Sequence, residues 1–201
     1  MFAAMNELAR RPWPHMTADE FLLWPGDGTH RRFHLFDGEV RAMSPASAAH
    51  GVIQANLTIL IGMALKLRTS LRVVTEGAVV PALNASDNVR VPDLLVMEGH
   101  AERGVVAVSA PVLIAEILSP GNAPTTRENV RAYATLASVR EIVVVSTARM
   151  EVEVHRRDES GAWLPDAEAV KAGGRVRLTV VGLDCAIEEA YAGTWLAGSH
   201  A

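Results

Sequence analysis

Two apolar runs, VRVPDLLVM at residues 89–97 and PVLIAEILSP at residues 111–120, each carry one carboxylate where a buried strand has no obvious use for it. Val, Ile, Leu and Met suit a pleated, packed surface. Asp93 and Glu116 do not, because a buried carboxylate is costly unless it is paired, hydrogen-bonded or bound to a metal. The two acids lie 23 positions apart on successive segments joined by EGHAERGVVAVSA. If those strands are neighbours, the carboxylates converge and repel unless a cation separates them. A hard divalent ion such as Mg²⁺ takes oxygen ligands and is commonly held by one or two carboxylates plus water and substrate phosphate. Each acid alone has an ordinary reading as well: a cap, an arginine partner, or a place at the edge of a sheet.

The surrounding pattern is mixed α/β. MTADEFLLW opens with Thr17 and places Glu20 three residues on, the reciprocal capping signature of a helix start. RRFHLFDGEVRAM alternates about Asp37-Gly38, the two-residue signal of a tight hairpin. Ser47 stands as N-cap before Val52, Ile53, Leu57, Leu60, Ile61, Ala64 and Leu65, the longest helical stripe in the chain. Three β-rich segments follow, LRVVTEGAVVPAL and the two acid-bearing runs, then a helix over NAPTTRENVRAYATL. REIVVVS and MEVEVHRR read as a hairpin through TARM, with AWLPD as a further strand. RVRLTVVGLDCAIEEAYAGTWLAG predicts one strand and a short helix.

A chain of 201 residues, 49% hydrophobic, can bury one substantial core, and a single domain over residues 1–201 is the expectation. No run of eighteen apolar residues implies a membrane span, the N-terminus lacks a secretory pattern, and one cysteine, Cys185, makes neither an internal disulfide nor a cysteine-based zinc site. A cytoplasmic setting is expected. The net charge of −4 gives no global case for nucleic-acid binding, so any such charge must be local, at Arg10-Arg11, Arg31-Arg32 or His155-Arg156-Arg157. Lysine is scarce: only Lys66 and Lys171.

HLFDGEVRAMSPASAAH, VRVPDLLVM, LIAEILSP and RENVRAYATLASVREIVVV occur in an order and spacing that resemble the Uma-two family, cyanobacterial-type restriction endonucleases of the PD-(D/E)xK nuclease superfamily. The resemblance covers about residues 17–157, a nuclease-like core, leaving residues 158–201 as a C-terminal strand and helix extension. It implies a restriction-endonuclease-like central mixed sheet flanked by helices, and a Mg²⁺-dependent endonuclease acting on DNA, with Mn²⁺ as substitute and RNA as the other polynucleotide to test. Asp93 and Glu116, with the backbone carbonyl of Ile117, would hold the metal; Glu39 would be an additional acid and His50 the histidine after Ser44-Pro45. A homodimer follows from the need to reach two strands.

The chain departs from the family pattern at one place. The superfamily's lysine, two positions after the second acid, is Leu118 here, and the site from which relatives recruit a lysine, one helical turn before Tyr133, is Asn129. Arg127 and Arg131 flank it and can neutralise phosphate, but arginine cannot accept a proton. Asn129 could hydrogen-bond water or phosphate, Ser119 could support the site, and Tyr133 suits the core. Two other accounts stay open: a binding or dimerisation module that keeps the nuclease fold, and a structural one in which both acids pair with arginines.

Overall fold

The protein is described from a computed structural model that covers residues 15–67 and 70–198. Helix α1, Ala18–Leu23, begins as the capping signature predicts: the Thr17 hydroxyl accepts from the Glu20 backbone N–H, and the Glu20 carboxylate accepts from Thr17 N–H at 2.8 Å. Strands β1 (Phe33–Phe36) and β2 (Glu39–Ala42) form a separate two-stranded hairpin. Its turn uses left-handed φ values at Asp37 (47°) and Gly38 (81°), which Asp and Gly tolerate best. Helix α2, Ala48–Ala64, starts at Ser47, whose hydroxyl accepts from His50 N–H, and ends in a 3-10 turn, Leu65–Leu67.

The central sheet has six strands in the order β3-β4-β5-β6-β7-β8. They are β3 (Leu71–Thr75), β4 (Leu94–Glu98), β5 (Pro111–Leu118), β6 (Glu141–Ser146), β7 (Glu151–Arg156) and β8 (Glu168–Lys171). Only β5 and β6 run parallel, and helix α3 (Ala123–Tyr133) makes the crossover between them. The remaining pairs are antiparallel. Strands β9 (Arg175–Leu178) and β10 (Leu183–Ala186) form a second hairpin, followed by α4, Ile187–Tyr191. The mixed sheet flanked by helices is the expected architecture. Among the described residues no helix is long and apolar enough to cross a membrane.

Period-two alternation divides the core between the faces of the sheet. Leu94, Val96, Leu113, Ala115 and Ile117 pack with Ile53, Leu57 and Ile61 of α2 and with Val176, Leu178, Ile187 and Tyr191 from the C-terminal hairpin and helix. Leu95, Ile114 and Ile142 pack on the other face against Tyr133 of α3. Asp93 and Glu116 share the parity of Leu95 and Ile114. The alternation aims Glu116 toward α3, whereas Asp93, one residue ahead of β4, meets β5 and α2.

Three strand readings need correction. In 89–97 the strand begins only at Leu94; Val89 and Arg90 make isolated bridges to Leu35 and Val79, since Pro92 offers no N–H to a ladder. AWLPD is not a strand. Trp163 makes one bridge to Arg157, Pro165 ends any continuation, and the real partner of β7 is Glu168–Lys171. The C-terminal segment contains two strands, with Gly182 at φ 72° in the turn between them. Buried Glu141 ties this hairpin to the sheet, accepting from Thr179 N–H, Thr179 Oγ1, Val180 N–H and Arg156 Nε.

Candidate active site

The register of the sheet brings the two acids together. Leu94 stands opposite Ala115, so one further antiparallel step sets Asp93 opposite Glu116. The backbone N–H of Ile117 donates to Asp93 Oδ2 at 2.7 Å, which turns that carboxylate toward β5. Helix α2 holds the same residue from above: His50 Nε2 lies 3.2 Å from Asp93 Oδ1, and Gln54, one turn along, donates to the Asp93 carbonyl at 2.8 Å. Helix α3 holds Glu116, whose Oε1 accepts from Asn129 Nδ2 (3.1 Å) and from the Tyr133 hydroxyl (2.6 Å), again one turn apart.

Both acids are buried, at 3% and 4% exposure. Burial, and then the Asp93 charge, push the Glu116 carboxyl well above its ordinary range, with the Tyr133 and Asn129 hydrogen bonds pulling the other way. Burial and the adjacent Glu116 likewise raise the Tyr133 hydroxyl. Among the described residues the ion pairs give Asp93 only His50, and give Glu116 none. Direct arginine pairing of both acids, the structural account, is therefore not what the fold contains.

Two buried acceptors at this site lack a hydrogen-bond partner among the described residues, Asn129 Oδ1 and His50 Nδ1. Both residues line a cavity of about 290 Å³ together with His34, Arg32, Arg41, Asp93, Glu116 and Ser119. His34 Nδ1 accepts from Val91 N–H at 3.1 Å, which places the neutral ring's proton on Nε2. Burial foremost, with Arg90 adding, pushes the His34 pKa down to about 3, so the ring stays neutral. His34 and Arg41 are cross-strand partners on the β1–β2 hairpin, and both line the cavity that holds the acids.

No group of three or more His, Cys, Asp or Glu among the described residues forms a metal-holding cluster. The donors here are the two carboxylates, which line the cavity, and the adjacent Ile117 carbonyl, which accepts from Asn122 Nδ2 at 3.4 Å; the set is all oxygen. That chemistry fits Mg²⁺ and not a structural zinc site, and a divalent cation would remove the repulsion between the paired acids. The residues present fit such an ion.

Several sequence expectations fall away from the cavity. Glu39 is exposed near the hairpin turn and pairs with Arg41 at 3.2 Å. Arg127 is bound bidentately by Glu153 of β7. It lines, with Arg131 and Trp163, a depression on the other side of α3. The reason is helical geometry: residues two positions from Asn129 lie about 200° around the axis. Ser119 lines the cavity, and its N–H donates to Asn122 Oδ1 at 2.7 Å. The sequence reading missed Gln54, His34 and Arg41. Gln54 was recoverable from its i+4 spacing to His50; the other two depend on where a detached hairpin packs.

The sequence model of the Uma2 family, described as "Putative restriction endonuclease", matches residues 18–187, extending 30 residues beyond the span read from the motifs. An uncharacterized protein of Synechocystis, slr1290, is 25% identical over 184 residues, covering 90% of this chain and 94% of that protein. The crystal structure of a putative nuclease belonging to DUF820 from Anabaena variabilis shares the fold, with a TM-score of 0.69 at 20% identity over 90% of this chain and 99% of that one. With a mixed sheet that pairs Asp93 and Glu116 and a family match across most of its length, the chain belongs to the Uma2 family.

Proposed function

We propose that this protein is a Mg²⁺-dependent endonuclease that hydrolyses phosphodiester bonds of DNA, with Mn²⁺ able to substitute. The observation that carries the reading is the buried pair Asp93–Glu116, with no arginine partner among the described residues, in a cavity that Arg41 also lines. Asp93, Glu116 and the Ile117 carbonyl would hold the ion. Bound there, Mg²⁺ supplies charge neutralisation at the scissile phosphate and makes a water more acidic.

The chain's own residues do the rest. His50 is oriented by Asp93 through Nε2, has its Nδ1 buried, and so holds that carboxylate in place for the ion. Asn129 donates to Glu116 and positions that carboxylate, at the place where the family resemblance implies a lysine. His34 Nε2–H and Arg41 stabilise charge on the phosphate, and Ser119 offers a hydroxyl on the cavity wall. Glu39, by pairing with Arg41, competes with phosphate for that guanidinium. Arg127 and Arg131 stand away from the scissile bond, in the depression beside Trp163. A two-fold dimer would supply the second strand's site.

The test is plasmid nicking by the full chain in Mn²⁺ or Mg²⁺ against a chelator control. Metal-dependent nicking is expected, and Asn129→Ala should slow it by about 10- to 100-fold, the usual cost of losing a group that supports a metal site. One observation favours a second reading, a binder without cleavage: no lysine lines the cavity. Plasmid retained but not cut in either metal would establish that reading and overturn hydrolysis.

A further inference from the structure

We propose that a basic depression next to the candidate active site binds the phosphodiester backbone flanking the scissile position; this rests on the nuclease reading above. The depression, of about 390 Å³, is lined by His30, Arg31 and Arg32 and by the loop Ala42 to Ala46. Arg32 and the same loop also line the cavity that holds Asp93 and Glu116. A polynucleotide strand seated at the acids therefore has a continuous path over this loop. The path is pinned to the hairpin by Met43 N–H donating to the Arg32 carbonyl at 2.8 Å.

The charge balance of the depression is one-sided. No carboxylate lines it. Arg32 pairs with Glu76; the nearby Asp27 carboxylate accepts from Thr29 N–H and Oγ1 and also feels the Arg31 charge, without an ion-pair contact to it. Arg31 is exposed and takes part in none of the ion pairs of the described residues, and Thr29 Oγ1 accepts its backbone N–H at 3.2 Å. The other basic clusters differ. Arg156 is engaged by Glu141 and Glu168, and Arg157 donates to the Val139, Ala134 and Leu136 carbonyls and stacks on Trp163. Arg10-Arg11 lies outside the described residues. In a chain of net charge −4, a polyanion needs a local basic track. Arg31 supplies one that leads away from the acids.

The experiment measures affinity of the full chain for a labelled 20-base-pair duplex in chelator across a range of salt, alongside Mn²⁺-dependent hydrolysis of bis(p-nitrophenyl) phosphate, a diester with no flanking nucleotides. Arg31→Gln should flatten the slope of log affinity against log salt by about 0.9 and weaken duplex binding by about threefold or more, as expected for one lost phosphate contact. Hydrolysis of the small diester should be unchanged. An unaltered slope, no duplex binding by the wild type, or an equal loss on the small diester would overturn the inference. If the wild type hydrolyses neither the small diester nor, with Mn²⁺ added, the duplex, the nuclease reading fails, while the metal-free binding arm still decides the role of Arg31.

Discussion

Alanine in place of Asp93 or Glu116 is expected to lower metal-dependent plasmid cleavage by at least about 10³-fold, the loss of several kcal/mol of charge stabilisation at the phosphate. The two variants should differ in stability, and the difference is informative. Asp93→Ala strips the Ile117 N–H and His50 Nε2 of their acceptor, so about 1–3 kcal/mol of stability goes with it. Asp93→Asn, which keeps the shape and one acceptor oxygen, should stay closer to wild type while remaining inactive. Glu116→Ala removes a buried carboxyl that has no cationic partner and is costly to ionise there, and the relief offsets part of the lost packing. Melting curves and plasmid assays on the same samples check this. Loss of cleavage with retained melting marks groups kept for chemistry at a cost in stability; full cleavage by both Asp93→Asn and Glu116→Ala would sink the assignment.

The second large effect is on stability against pH. Glu116 is held above its unfolded value of 4.5, chiefly by burial and then by Asp93. The folded state therefore keeps a proton that the unfolded state releases. Stability is full below pH 4.5 and is lost as pH rises through the folded pKa, at up to about 1.4 kcal/mol per pH unit. His34 acts in the opposite direction and lower range: its folded pKa of about 3 lies under its ordinary 6.5, so stability falls as pH drops below 6.5. Above pH 6.5 His34 is neutral in both states, and the decline belongs to the Glu116 environment, which comprises Asp93 beside β5, Asn129 and Tyr133 on α3 and His50 on α2.

Metal-free wild-type protein should thus melt several degrees lower at about pH 8 than at about pH 6.5, at roughly 2–4 °C per kcal/mol for a domain of this size. Glu116→Gln should remove most of that slope and raise the melting temperature at the higher pH. Mg²⁺ should stabilise the wild type more at the higher pH, because the carboxylate must be deprotonated to bind, and should leave Glu116→Gln unchanged. Parallel declines in the two proteins would show that Glu116 does not carry the effect.

What was legible in the chain was whatever local chemistry decides. Thr17 with Glu20, Asp37-Gly38 and Ser47 each mark a boundary by satisfying specific backbone groups, and each appears where the residues place it. The two acids were legible because a carboxylate contradicts an apolar strand. Tertiary packing decided what was missed. Arg127 and Arg131 flank Asn129 in sequence, yet the helix turns them away, and only the packing of Tyr133 against Leu95 and Ile114 says which side faces the sheet. Arg41 and His34 line the same cavity as the acids because a hairpin outside the central sheet contributes to it. Pro92 and Pro165 carried a readable warning: without an N–H, neither could sit within a ladder.

The central claim is that Asp93 and Glu116 meet a divalent cation, and it is tested most directly by anomalous scattering from a crystal soaked at high Mn²⁺ concentration. A hard ion normally shared with substrate phosphate binds weakly without it, hence the concentration. The account predicts an anomalous peak between the two carboxylates, within ligand reach of the Ile117 carbonyl, and its loss in Glu116→Gln. No peak there, with Glu116 still bonded to Asn129 and Tyr133 and Asp93 to Ile117 and His50, would contradict it and leave the acids as a structural pair.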